Sequence, residues 1–182
     1  MSEMRILTVR QPWAWAIIHG GKDVENRVRN IAGDYRGPVA IHAGVSHAES
    51  IDTEDRLVSS AVGRLARAKV SAGMGMVPSR IDDPNDRHHW VHERFGNRGA
   101  IIGVVDLVGV HSDFDCGLCV DGCCGGCSEW AFPEMTHLEL ANPRPVDPIP
   151  FKGALGLRRL DEEMTARVLA AVSHHKGGNE NG

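Results

Sequence analysis

The sequence predicts an α+β domain in which short strands and flanking helices enclose one core. Three observations carry this. Residues 5–10 and 39–43 alternate apolar with polar or small side chains, the two-residue period of a strand with one buried face. Residues 100–110 are almost continuously apolar and β-branched, as in a central strand covered on both faces. Residues 50–69 and 161–172 instead repeat apolar side chains at helical spacing.

Composition narrows the class. The chain has 182 residues, 42% hydrophobic and 24% charged, ordinary values for one soluble globular domain. No apolar run is long enough to span a membrane and the first residues carry no basic-then-apolar leader, so the cytoplasm is the expected location. A net charge of −4 argues against strong, non-specific binding to long nucleic acid, which needs many phosphate contacts, and leaves room for a local basic cleft.

In the first strand Leu7 and Val9 share one face, Thr8 and Arg10 the other. The chain then turns through Arg10 and Gln11 and enters a helix with Pro12 at the first helical position, where its missing N–H costs nothing. Trp13, Ala16 and Ile17 fall on one packing face, and Gly20 and Gly21 end the helix. Four charges follow at once: Lys22, Asp23, Glu25 and Arg27. If that stretch is extended, Lys22, Val24 and Asn26 face one way and Asp23, Glu25 and Arg27 the other.

Residues 30–37 read as a loop, and Val39, Ile41 and Ala43 form the apolar face of a second strand, with His42 and Ala40 opposite. His42 is a cleft candidate, although a lone histidine on a strand is more often structural. In the helix expected over 50–69, Asp52, Glu54 and Asp55 crowd the start and Arg64, Arg67 and Lys69 the end. That order complements the helix dipole, so the basic cluster needs no nucleic acid to explain it. Residues 73–86 read as an exposed loop, either a lid or an insertion. His88 and His92 have a spacing that can hold zinc, but with His89 they stand among Arg87, Glu93 and Arg94, which points to a surface helix.

Asp106 interrupts the apolar run at 100–110, where a carboxylate must find a partner or be protonated; pairing with an arginine is the favoured expectation over opening into the cleft. Residues 136–140 and 154–160 read as the last strands, 161–172 as a helix capped by Asp161, and 174–182 as a disordered tail.

All five cysteines fall in CGLCVDGCCGGC. Cys116 with Cys119 and Cys124 with Cys127 form two Cys-x-x-Cys turns, with Cys123 or His111 available as a substitute ligand. The short link between the turns would require a compact knuckle. In a reducing compartment this clustering points to one structural zinc ion, with an iron–sulfur cluster or free thiols as alternatives.

Gly20, Lys22, Glu25 and Arg27 also satisfy the pattern Gly-x-Lys-x-x-Glu-x-Arg. With Tyr35-Arg36-Gly37-Pro38, Ile41-His42-Ala43, the stretch 99–107, Asn142-Pro143-Arg144-Pro145 and Pro148-Ile149-Pro150, the chain resembles the ASCH domain family of the PUA-like group, in separated blocks. The resemblance implies a PUA-like small mixed β-barrel with flanking helices and two insertions, at about 45–98 and 111–130 of a single domain spanning 1–173. It also implies an association with RNA and modified nucleosides. Some ASCH proteins look like acetylcytidine amidohydrolases that use a lysine, a threonine and a glutamate, and others are reported as ribonucleases. Lys22 matches that lysine, and Glu25 stands where the amidohydrolase pattern has threonine.

The first reading is therefore a binding module for RNA or a modified nucleoside, its cleft lined by Arg10, Gln11, Trp13, Lys22, Glu25, Arg27 and His42. Lys22 and Arg27 would meet phosphate or a carbonyl, Glu25 would accept from a base edge, and Trp13 or Trp15 would offer a stacking face. The runner-up is a hydrolase of such a ligand, with Lys22 and Glu25 as acid–base pair.

Overall fold

The computed structural model describes residues 3–47, 97–112 and 128–177. The helix expected over 50–69, the loop at 73–86, His88, His89, His92 and all five cysteines, Cys116, Cys119, Cys123, Cys124 and Cys127, lie outside the described residues.

The elements in chain order are β1 (Arg5–Gln11), α1 (Trp13–Trp15) continued by a π-helical turn (Ala16–Gly20), β2 (Val24–Arg27), β3 (Gly37–His47), β4 (Ala100–Ser112), β5 (Thr136–Pro150), β6 (Leu157–Arg159) and α2 (Glu162–Gly177). The strands form one sheet in the order β2-β5-β4-β3-β1-β6. β1 and β3 run parallel and every other neighbouring pair is antiparallel. A parallel pair needs a crossover, and here the crossover contains α1 and β2. The result is the expected mixed α+β barrel in the form of a curled half-barrel with two helices.

Alternation along the strands divides the apolar side chains between two faces. Leu7, Val9, Val39, Ile41, Ala43, Ile102, Val105 and Leu107 join Ala14, Ile17 and Ile18 beneath α1. Ile6, Ala40, Ile101, Val104 and Ile149 join Met4, Leu160 and Val168 beneath α2. β4 is thus covered on both faces, which is why its sequence is apolar at nearly every position. Register shifts between Ile101 and Gly103, Val104 and Asp106, and Leu107 and Gly109 interrupt its ladder with β5, and bulges of this kind bend and twist a strand. Gly103 sits in this curve with no room for a side chain: a Cβ there would lie 2.5 Å from Ile18 Cδ1 and 2.8 Å from the Arg144 carbonyl oxygen.

Three boundaries differ from those expected. The strand expected over 136–140 runs on to Pro150, through Pro143, Pro145 and Pro148. It can do so because β2 covers only Thr136 to Glu139 of β5. Beyond that point β5 is an edge, where an absent N–H removes no ladder bond on the open side. β6 keeps only Leu157–Arg159 of the expected 154–160. α2 begins where Asp161 Oδ1 accepts the Met164 N–H at 2.7 Å, an N-cap as expected, but it reaches Gly177, past His174 where the tail is expected to start.

β6 pairs with β1 only as far as Leu7. At the next residue the side chain of Arg27, from the far edge strand β2, donates from Nη2 to the Thr8 carbonyl at 3.1 Å. A guanidinium therefore spans the seam of the half-barrel at a position where no backbone ladder closes it. Among the described residues no helix is long and apolar enough to cross a membrane.

Candidate functional site

The local structure around the charged cluster starts at Gln11. Its side chain is buried, with Oε1 accepting the Trp15 N–H at 3.0 Å and Nε2 donating to the Asn97 carbonyl at 3.3 Å. Both ends of the amide are used in holding α1. Pro12 follows a cis peptide and is the N-cap, one position earlier than expected, with its carbonyl accepting the Ala16 N–H at 3.0 Å. The π-helical turn then ends at Gly21, whose φ of +78° is open to glycine without strain, and the Lys22 N–H donates back to the Ala16 carbonyl at 3.0 Å.

From Val24 the chain is extended, so side chains alternate as expected. Glu25 and Arg27 share a side and pair at 3.1 Å, with the carboxylate residue only 8% exposed. Asn26 faces the other way: its Nδ2 donates to the Trp130 carbonyl at 2.8 Å and its Oδ1 accepts the Phe132 N–H at 3.1 Å. Ser128 Oγ donates to Asp23 Oδ1. These bonds pin the segment 128–132 against β2 and set Trp130 over Lys22.

Lys22 is therefore not the exposed lysine that a charged loop would suggest; it is 4% exposed, with Nζ 5.6 Å from the Trp13 ring centroid and 5.5 Å from that of Trp130. The two indoles meet edge to face at 6.5 Å. An ammonium over aromatic faces gains about 0.5–2 kcal/mol, the upper end when desolvated. Trp13 packs against the core under α1, as its helical face leads one to expect, and also flanks the lysine.

The other expected lining residues lie elsewhere. Arg10 is exposed, and Trp15 is buried beside His19. His42 is on the α2 face, because its neighbours Ile41 and Ala43 point into the core under α1. Its Nε2 donates to the Phe151 carbonyl at 2.9 Å, and burial lowers its pKa from the usual histidine value. Asp106 pairs with Arg144 and accepts from Asn142 Nδ2 at 2.9 Å, the structural role expected of it, although about a quarter of the side chain remains in solvent.

Two features have little signal in the linear sequence. Trp130 follows directly on the cysteine-rich stretch and belongs to no periodic segment, yet it is 1% exposed, and its buried indole N–H has no hydrogen-bond partner among the described residues. The second is a chain of polar groups across β4 and β5. His137, fully buried, donates from Nε2 to the Phe132 carbonyl at 2.8 Å; its Nδ1 lies 3.2 Å from His111 Nε2; His111 Nδ1 lies 2.6 Å from Glu139 Oε1. Only the pairing of His111 with His137 across the ladder reveals this group. The shared face of His137 and Glu139 is the one trace of it in the sequence. Among the described residues no group of three or more side chains has the arrangement of a metal site.

Fold and site together define a small α+β half-barrel that carries a buried lysine between two indoles and a half-buried Glu–Arg pair at one margin of its sheet. The chain belongs to the ASCH domain family, whose sequence pattern it matches over residues 7–150. Among solved structures it is similar to ASCH from Zymomonas mobilis, at 16% identity over 92% of this chain and 94% of that one, with a TM-score of 0.48. A mutant of the same Zymomonas mobilis protein matches at 15% identity over 93% and 98% of the two chains, also with a TM-score of 0.48. No curated protein matches the chain.

Proposed function

We propose that this ASCH domain binds RNA or a modified nucleoside at the sheet margin formed by Trp13, Lys22, Glu25, Arg27 and Trp130. The observation that carries the reading is the Lys22 ammonium held between two indole rings, with Glu25 and Arg27 on the strand that follows. Lys22 meets a phosphate or carbonyl oxygen, Glu25 accepts from an exocyclic amino group, and the half-buried Trp13 offers a face for base stacking. Membership in the ASCH family supports an RNA-type ligand over other anions. The net charge of −4 favours a short single strand or a free nucleoside over a long duplex. The protein works in the cytoplasm on this reading.

Titration of short oligoribonucleotides and of acetylcytidine against tryptophan fluorescence tests it. Quenching that saturates in the wild type and is lost in Lys22→Met supports the assignment; no saturable response to any of these ligands ends it.

The burial of both Lys22 and Glu25 favours one second reading, a hydrolase of the same ligand with these two residues moving the proton. Glu25→Gln separates the two. It keeps size and most hydrogen bonding, so a binder keeps most of its affinity, whereas an enzyme loses release of acetate from acetylcytidine or cleavage of RNA.

A further inference from the structure

We infer that the ligand at the sheet margin is one end of a single RNA strand, whose phosphate backbone runs from Arg27 along the open edge of β1 to Arg5 and Arg159, with Arg29 and Arg36 beside that path. The inference rests on the RNA-binding reading above and narrows its ligand from a free nucleoside to a strand of several nucleotides.

Faces and register put these arginines on one side of the sheet. Arg5 shares the α1 face of β1 with Leu7 and Val9. Across the β1–β6 ladder Arg159 stands directly opposite Arg5, and Leu157 opposite Leu7, so Arg159 is on that face too. On β2, Arg27 is opposite Thr136, two residues before the core residue Leu138, which gives it the same side. β6 covers β1 only to Leu7, and Arg27 reaches the next carbonyl, that of Thr8. From there to Arg5 is three residues of strand, about 10 Å. The connection from β2 to β3 leaves the same margin, passes Arg29, and brings Tyr35 and Arg36 to Arg5.

The cations of this strip are only partly matched. Arg5 and Arg159 are like charges on directly opposed positions, an arrangement that weakens a strand pair. Arg5 has Glu3 at 3.0 Å, an exposed and therefore weak pair, and the Tyr35 ring centroid 4.1 Å from its guanidinium carbon. The Tyr35 hydroxyl lies 2.8 Å from the Pro38 carbonyl and 3.0 Å from that of Glu3, so the ring is a fixed platform for the guanidinium. Glu25 is shared with Arg27, and Asp106 is taken by Arg144. Asp34 is the one carboxylate in the 28–36 connection. Arg29, Arg36 and Arg159 are exposed and make no ion pair among the described residues. Arg36 spends its Nη1 on the Gly33 and Tyr35 carbonyls, which orients it along the connection.

A row of spaced guanidinium groups fits a chain of phosphates better than a single anion, since each fork takes phosphate oxygens in pairs. A free nucleoside at Lys22 has no group that reaches Arg5 or Arg159. In a chain of net charge −4 the strip is a local exception, suited to a short strand and too small to hold a long duplex.

The test compares acetylcytidine with oligoribonucleotides of increasing length, up to about eight nucleotides, on the full-length protein. Affinity should rise at least about tenfold from nucleoside to longest strand, and log K for that strand should fall with log salt at a slope of about −0.7 per phosphate engaged. The double variant Arg29→Gln with Arg159→Gln changes two exposed side chains and should melt as wild type does. It should lose most of the gain with length and have a slope shallower by roughly 1.4, with nucleoside affinity unchanged. Wild-type affinity that does not grow with length, or a double variant with the wild-type slope, overturns the backbone path and leaves the Lys22 site standing. Absence of binding to every ligand overturns the path together with the RNA reading. The length and salt series use wild-type protein, so the outcome does not depend on any variant folding.

Discussion

The centre of the sheet and its β2–β5 margin bury different chemistry. Around β1, β3 and β4 the fully buried side chains are mostly apolar, among them Leu7, Val39, Ile41, Ile101 and Leu107, packed from both faces, with Gln11 and His42 as buried polar exceptions. At the margin the buried side chains include Lys22, Glu25 and His137, and an indole N–H without a hydrogen-bond partner among the described residues. Burying polar groups costs free energy unless each is matched, so the margin contributes little stability and depends on the centre to hold its geometry. On the proposed reading, the molecule separates the region that makes it fold from the region that recognises its ligand.

The largest expected effect is a test of that separation. Ile101→Ala, which opens a hole between β4 and α2, should lower unfolding free energy by about 2–5 kcal/mol in urea titrations, while the folded protein keeps its RNA affinity. Lys22→Met should do the reverse: at least about a tenfold loss of affinity, roughly 1.4 kcal/mol, with a smaller loss of stability than Ile101→Ala, since the methionine keeps most of the buried apolar stem. A Lys22→Met protein as unstable as Ile101→Ala would erase the distinction between margin and centre.

Asp106→Ala sharpens it from another side. Because the carboxylate and Arg144 are each more than a quarter exposed, the loss should be about 1 kcal/mol by thermal melting, well short of what breaking a buried pair costs. A drop as large as that of Ile101→Ala would place Asp106 with the core.

The smallest effect at neutral pH comes from His42. Burial lowers its pKa in the folded state, so below about pH 6.5 the unfolded chain takes up the proton first. Its contribution is therefore fully present above that pH and is lost as pH falls toward the folded value. His42→Gln removes the titration, and its stability should vary less between pH 7 and 5 than that of the wild type. Parallel curves for the two proteins would mean that His42 does not sense acid.

The apolar framework is legible in the sequence because strand period and burial agree. Leu7, Val9, Ile41 and Ala43 point where alternation puts them, and the same alternation, carried one residue further, moves His42 to the far face. The Gly-x-Lys-x-x-Glu-x-Arg pattern locates β2 and its ion pair. What the linear chain does not show is which distant segment folds over that strand. Trp130 and His137 reach the margin through Asn26 and the β4–β5 ladder, contacts set by register, which has no local mark in the chain. Gln11 misleads for a related reason. A polar residue beside a motif looks like a ligand group until its amide is found capping the helix that follows.

The bond from Asn26 to the Trp130 carbonyl joins residues 104 positions apart. At a synthesis rate of about 5–20 residues per second, the lysine leaves the ribosome roughly 5–20 seconds before the indole that will cover it. In that interval β2 lacks β5, its one sheet neighbour among the described residues. A nascent chain ending before residue 130 would carry the whole motif with Lys22 not yet covered by Trp130. Long-range closure of this kind is slow to form, so the covering of Lys22 is a late event that waits for the C-terminal third of the chain.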